Sequence, residues 1–486
     1  MANGKKVVSN YIFNVIYNIL VIILPLVTVP YVSRVLGAEK IGQYGYTQSI
    51  VNIFVLFGTL GTQIFAQREI AYHQDDVKER SKVFWEMFIL RMFTVGMITV
   101  VYGVMICFNK QYTILYIIQI IDLMAAFFDV TWFFQGIEEF KKTVVRNIVV
   151  KLAIVVLMFL LVKDEADLPI YVLLHSLALL LGNLSLYCYL PKYVVRVALK
   201  LLHPLGYLKR VLGLFVPQIA VQIYATLDKA MLGYLCGAEN VNQVGYYEQS
   251  QKIIRLLLAM IAALGTVMLP RMANAFSKKE DAVIKSSLNT SFEFIFFLGC
   301  PLMIGISAIS ARLIPWFYGN GYEPVAGIIV ATSPIIIITG ISNLVGMQFL
   351  LPTQKQKEYT IAVTAASLSN VVLNFILIPH YQAMGAVIAS VFAECIAIGI
   401  EIYFIHAYIE VKRILKVVVK YFGFAMCMGI CVWQVGKNMQ ANYMTTIVQI
   451  AVGGIIYGAL LFVSKDRFVM MLVGKLPGMM GRIGKG

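Results

Sequence analysis

Fourteen apolar runs, each long enough to cross about 30 Å of hydrocarbon, decide what this chain can fold into. They lie at roughly 11–34, 42–67, 82–108, 112–137, 143–162, 168–190, 208–236, 241–269, 286–311, 324–350, 357–378, 383–407, 413–435 and 442–463. Backbone in lipid has no water to bond, so a span is a helix or a strand of a closed barrel, and these runs are too long and too evenly apolar for barrel strands. The expectation is an all-α integral membrane protein of 14 transmembrane helices. A charged fraction of 13% agrees with it, since soluble domains carry about 25%.

The positive charge of the chain is a topological signal. Loops assigned alternately from a cytoplasmic amino terminus put 29 of the 40 Lys and Arg inside and six outside, which predicts both termini in the cytoplasm. The net charge of +15 then needs no nucleic acid to explain it. The first run follows a basic segment and contains Pro25 and Pro30 with no small-residue cleavage site after it, so it reads as a span and not as a cleaved signal. The seven Cys (107, 188, 236, 300, 395, 427 and 431) lie in or beside apolar runs without metal-ligand spacing and read as reduced packing residues.

A ten-residue segment after the first span, GAEKIGQYGY at 37–46, returns as GAENVNQVGY at 237–246, after the seventh. Its placement predicts a duplicated architecture: an amino-terminal lobe over 1–197, a second lobe over 198–408, and spans 13 and 14 with a tail over 409–486. The connection 191–208 reads as an amphipathic linker on the anionic leaflet.

At about 100° per residue, polar positions within the spans sort into faces. Span 1 aligns Asn10, Asn14, Tyr17 and Thr28; span 2 aligns Gln48, Asn52, Thr59 and Gln63; span 7 aligns Gln218, Gln222 and Lys229; span 8 aligns Glu248, Lys252 and Arg255. Polar faces are costly against lipid, so these four should turn toward one another around a wet cavity, or else join helices through hydrogen bonds. Lys252 and Arg255 give that cavity a surplus of positive charge, because Glu248 can neutralise only one of them. Span 3 adds Arg91, and Lys151 near the cytoplasmic end of span 5 reads as a snorkelling side chain. Asp122 and Asp129 share a face of span 4, either pairing with Arg91 or Lys151 or taking up protons or cations for coupling. Asp228, Glu293, Glu394 and Glu401 are similar cases, with Asp228 favoured as a structural partner. Pro25, Pro30, Pro217, Pro301 and Pro334 each delete a helix hydrogen bond, and the kinks in spans 1 and 7 suit a rocking two-lobe transporter.

Signatures of soluble enzymes are missing: there is no P-loop, no dinucleotide-binding glycine loop, no HExxH and no CxxC pair, and the five His are scattered. No enzyme activity and no cofactor are expected. The chain does resemble a known family. VSRVLGAEKIGQYGY after span 1, WFFQGIEEFKK from Trp132 with Arg146 and Asn147 beyond it, LDKAMLGYLCGAENVNQVGYYEQSQKI from Leu227, LPTQKQKEYT from Leu351, LNFILIP from Leu373 and GAVIASVFAE from Gly385 resemble, in order and spacing, the Wzx-type polysaccharide flippases of the MOP exporter superfamily.

The resemblance implies a flippase that turns oligosaccharide repeat units, linked to an undecaprenyl diphosphate carrier, from the inner to the outer leaflet of a bacterial plasma membrane. It implies alternating access, drive from an ion gradient or the membrane potential, and work for O-antigen, capsule or exopolysaccharide synthesis beside a polymerase and chain-length machinery. Arg34, Lys252 and Arg255 sit where such flippases keep cavity cations, with Arg91 and Lys229 as further candidates. Asp122, Asp129, Asp228 and Glu394 are the candidates for ion coupling. Lipid II flippases of the superfamily tend to carry arginines within spans 1 and 2, whereas span 2 here holds amides and hydroxyls, which favours a surface-polysaccharide substrate. The alternatives are a lipid II flippase or a multidrug antiporter, and the surplus of Lys and Arg counts against the latter.

Overall fold

Among the described residues helices account for nearly all of the backbone, as chains in lipid require. The computed structural model describes the backbone of 2–278 and 280–470, and the side chains of these residues except 2–23, 140–143, 145, 214–221, 223–225, 263–271, 273 and 277. In order, the α-helices are α1 (Ala2–Thr59), α2 (Thr62–Tyr72), α3 (Val77–Phe108), α4 (Thr113–Phe127), α5 (Thr131–Gly136), α6 (Phe140–Leu161), α7 (Leu168–Ser185), α8 (Leu208–Cys236), α9 (Asn242–Ser277), α10 (Asp281–Phe317), α11 (Glu323–Thr332), α12 (Ile335–Ser342), α13 (Gln356–Ile405), α14 (Val411–Lys437) and α15 (Tyr443–Val463). No strand occurs among the described residues. Nine stretches among them are long and apolar enough to cross a membrane. Two of these, of 49 and 53 residues, are far longer than one crossing. They turn at Gly37 (φ 72°) and Gln382 (φ 52°), between runs 1 and 2 and between runs 11 and 12.

The chain divides into two compact units, one made of 1–248 with 367–386 and the other of 249–366 with 387–486. In the first, α1 packs on α3, α4, α6 and α8, and α7 packs on α4 and α6. An aromatic cluster of Phe65, Phe84, Trp132, Phe133 and Phe134 fills the junction of α2, α3 and α5. In the second unit α10 is the central post, with α11, α12, α14 and α15 against it. Spans 13 and 14 are therefore integrated into that unit through α10.

Both copies of the ten-residue repeat lie in the first unit, and they touch. Gly37 and Gly237 hold the same backbone conformation, φ 72°, ψ 170° and φ 73°, ψ 177°, a region open essentially only to glycine. Further along the two copies, a Cβ at Gly42 would run into the Val241 carbonyl, and one at Gly245 into the Ala38 carbonyl. The two segments cross with backbone against backbone, as small residues allow in membranes.

The connection after α7 is a series of single helical turns rather than one amphipathic helix. It is tied to α3: Val195 N–H donates to Ser81 Oγ at 3.0 Å, Trp85 Nε1 to Val195 O at 3.1 Å, and His203 N–H to Glu86 Oε1 at 2.8 Å. Leu199, Lys200, Leu201 and Leu205 on it are exposed.

Candidate functional site

A cavity of about 500 Å³ lies in the first unit, walled by α1, α4, α6 and α7. Each wall follows from helical spacing. On α6 the lining residues are Arg146, Asn147, Val150, Lys151, Ile154 and Val155, and on α7 they are His175, Ala178, Leu179, Gly182 and Asn183. These sets fall at intervals of three and four, hence on one face of each helix. From α1 come Pro25 and Thr28 on one side of the Gly37 turn and Tyr44 and Gln48 on the other. Thr28 Oγ1 donates to the Leu24 carbonyl at 3.0 Å within the turn that holds Pro25.

Gln48 is the hub of the polar wall. Its Nε2 donates to Asp122 Oδ2 at 3.0 Å and to Asn52 Oδ1 at 3.1 Å, and its Oε1 accepts from Gln119 Nε2 at 3.1 Å. Asp122 is buried. Across the cavity Arg146 is fixed between two helices: Nε and Nη2 donate to Asn147 Oδ1 at 3.1 and 2.6 Å, and Nη1 to Gly182 O at 3.1 Å and Asn183 Oδ1 at 3.3 Å. Asn183 in turn donates to Ala125 O at 2.8 Å, tying the same wall to α4. Tyr44, Tyr171 and His175 form an aromatic cluster with centroid separations of 4.6 to 5.9 Å. The lining thus includes Arg146, Lys151 and His175 beside one carboxylate, Asp122.

Of the residues expected from sequence, Gln48 and Asp122 line this cavity and Asn52 is bonded to it. Arg91 and Asp129 do not line it. They meet as an ion pair at 3.0 Å, and Arg91 Nε also donates to Ala126 O at 2.8 Å. Asp129 Oδ1 accepts from Thr131 N–H at 2.8 Å, so the pair bridges the break between α4 and α5. Asp122 takes its hydrogen bond from Gln48, leaving the pairing with Arg91 to Asp129 alone. Lys229 and Glu248 pair at 2.8 Å, so Glu248 meets a cation of span 7 as well as sharing a helix with Lys252 and Arg255. Asp228 is buried, with Tyr247 Oη donating to one oxygen and Asn374 Nδ2 to the other, both at 2.7 Å. Arg34, Gln63, Gln222 and Arg255 are exposed, and Lys252 and Glu394 are half-buried. The side chains of Asn14 and Gln218 lie outside the described residues.

Sequence reading passed over Arg146, Lys151 and His175 as site residues. Arg146 and Lys151 share a helical face with Asn147 and Ile154, and that shared face is the sequence signal that points to them.

A family described as polysaccharide biosynthesis protein matches residues 7–276 of the chain. The chain belongs to this family. It is 25% identical over 395 residues to a protein of Escherichia coli (strain K12) named as an O-antigen transporter, covering 79% of this chain and 92% of that one. It is 26% identical over 251 residues to the lipid II flippase MurJ of Bacillus subtilis (strain 168), covering 47% and 44%. Among solved structures, MurJ in an inward closed conformation aligns with a TM-score of 0.75 at 17% identity, covering 94% of this chain and 99% of that one. An inward-facing multidrug resistance MATE transporter of the MOP superfamily aligns with a TM-score of 0.63 at 16% identity, covering 81% and 94%. The resemblance to Wzx-type polysaccharide flippases of the MOP superfamily therefore holds, and the multi-pass membrane fold is shared with MurJ and MATE transporters. The relatives are named as transporters or flippases, not enzymes.

Proposed function

We propose that this protein turns oligosaccharide repeat units, carried on undecaprenyl diphosphate, from the inner to the outer leaflet of a bacterial plasma membrane for surface polysaccharide synthesis. The observation that carries the reading is the cavity lining, in which Arg146, Lys151 and His175 stand beside the single carboxylate Asp122. A diphosphate sugar cannot cross hydrocarbon unaided, and a hydrated cationic wall with hydroxyl and amide groups offers what both phosphate and sugar require. Tyr44 and His175, packed on the buried Tyr171, supply the aromatic faces of the lining for sugar rings. Alternating access over fourteen crossings in two six-helix lobes, with both termini cytoplasmic, completes the proposal. Arg34, Lys252 and Arg255 serve as further cations of the path, while Asp228, held by Tyr247 and Asn374, acts as a structural partner.

The test is complementation of a flippase-null strain. Lys151→Ala, and Lys252→Ala with Arg255→Ala, are expected to abolish surface polysaccharide while membrane expression stays at the parental level. Full activity of all three would overturn the cationic path. The alignment with MurJ favours a second reading, lipid II as cargo, and rescue of a lipid II flippase depletion by the unaltered protein would select it.

A further inference from the structure

The tenth apolar run is not one regular helix. α12 ends at Ser342, and the backbone then widens into a π-helix over Asn343–Leu350. Wide turns of this kind are rare and concentrate at functional sites. Glu401 of α13 lies against this stretch, fully buried. Its Oε1 accepts from Ser342 Oγ at 3.1 Å, and its Oε2 is buried with no hydrogen-bond partner. Gly346 makes the room: a Cβ there would lie 3.0 Å from Glu401 Oε1 and 2.6 Å from the Tyr359 ring.

The surroundings offer this carboxyl no counter-charge. Ser342–Leu350 contains no ionisable residue. From α13 itself the groups acting on Glu401 are Glu394, two turns away, and the Tyr359 phenol. α10, which also packs on the π segment, carries Glu293, itself 3.9 Å from Arg413. Lys355, just before α13, sits over the Tyr408 ring. No cation among the described residues pairs with Glu401. An ionised carboxylate with an idle oxygen at such a position is expensive, whereas the neutral acid is tolerated and its hydroxyl can donate.

We propose that Glu401 is a proton-binding site coupled to the π segment. The carboxyl holds its proton in the arrangement seen here. When the proton leaves to water, two acceptor oxygens remain with one donor, Ser342, and the site is satisfied only if the chain opens to admit water or another donor. The π segment beside it, already off the regular helical ladder, is where that opening occurs. The consequence for transport rests on the reading of the chain as a transporter, whereas proton binding does not.

Infrared difference spectroscopy on the full-length protein in lipid vesicles, titrated from acid to alkaline pH, tests it. The neutral acid's C=O stretch should be present at neutral pH, be absent in Glu401→Gln, and shift in frequency without disappearing in Ser342→Ala, which keeps the carboxyl. A band that survives in Glu401→Gln, or one unmoved in Ser342→Ala, would overturn the assignment. In transport assays Glu401→Gln, which mimics the neutral acid, should make the rate insensitive to an imposed pH gradient; sensitivity equal to the parent would overturn the coupling. A protein that shows the band but moves no lipid-linked sugar would refute the cargo and leave the proton site standing.

Discussion

Arg91 and Asp129 offer the clearest separation of a structural pair from a coupling site. At 3.0 Å their gross attraction is about 5 kcal/mol for an effective dielectric near 20, much of it offset by desolvation of the buried guanidinium and the half-buried carboxylate. Removing one partner is a different matter, because it leaves the other charge buried and uncompensated, at about 3–5 kcal/mol. The two single variants should not be equal. In Asp129→Asn the buried guanidinium keeps its bond to Ala126 O but no anion, whereas in Arg91→Gln the carboxylate still accepts from Thr131 N–H and Oγ1. Asp129→Asn is therefore expected near the top of that range and Arg91→Gln below it. The double variant, free of both charges, should be more stable than the sum of the single losses predicts by at least about 1.5 kcal/mol. Reversible unfolding of the protein in bicelles, combined as a double-mutant cycle, measures this. If the pair is a staple across the α4–α5 break, the double variant also keeps transport. Additive losses would refute the staple, and a stable double variant without transport would return Asp129 to the coupling candidates.

Other expectations follow from the same geometry. Gly37→Ala and Gly237→Ala should each cost about 1–3 kcal/mol, read in the same unfolding assay, because both positions require a conformation that a Cβ strains. Gly245→Val should cut folded yield in membranes, since its side chain meets the Ala38 carbonyl of the other repeat copy, while Gly454→Val, with open space around it, should leave yield unchanged. Asp466, beyond the last span, is opposed by burial yet held below the ordinary carboxylate value by Lys420, the Tyr421 hydroxyl and the Phe468 N–H. Its depressed value means that its contribution is present above pH 3.8 and is lost as the pH falls through the lower, folded-state value. Thermal denaturation against pH should show an acid loss that is smaller in Asp466→Asn.

The sequence by itself determined the solvent, the secondary structure and the family. Apolar runs longer than a bilayer crossing leave the backbone only helices, and the repeated glycine-led segment appears in the structure as two equal turns at Gly37 and Gly237. Periodicity also found the face of Gln48 and Asn52, because a helix repeats its direction every three to four residues whatever surrounds it. Tertiary structure alone decided what each polar face meets. Arg91 and Asp129 come from different helices and close on each other, and so do Lys229 and Glu248, which takes them out of the pool of free cavity charge. Arg146, Lys151 and His175 converge on one cavity although their helices are separated by a turn and a loop. The reason is geometric: a sequence fixes the angle of a side chain about its own helix axis, but pairing depends on the rotation and depth of a second helix. Only packing sets those, and packing turned a list of buried charges into staples, a cavity wall and one carboxyl left without a counter-charge.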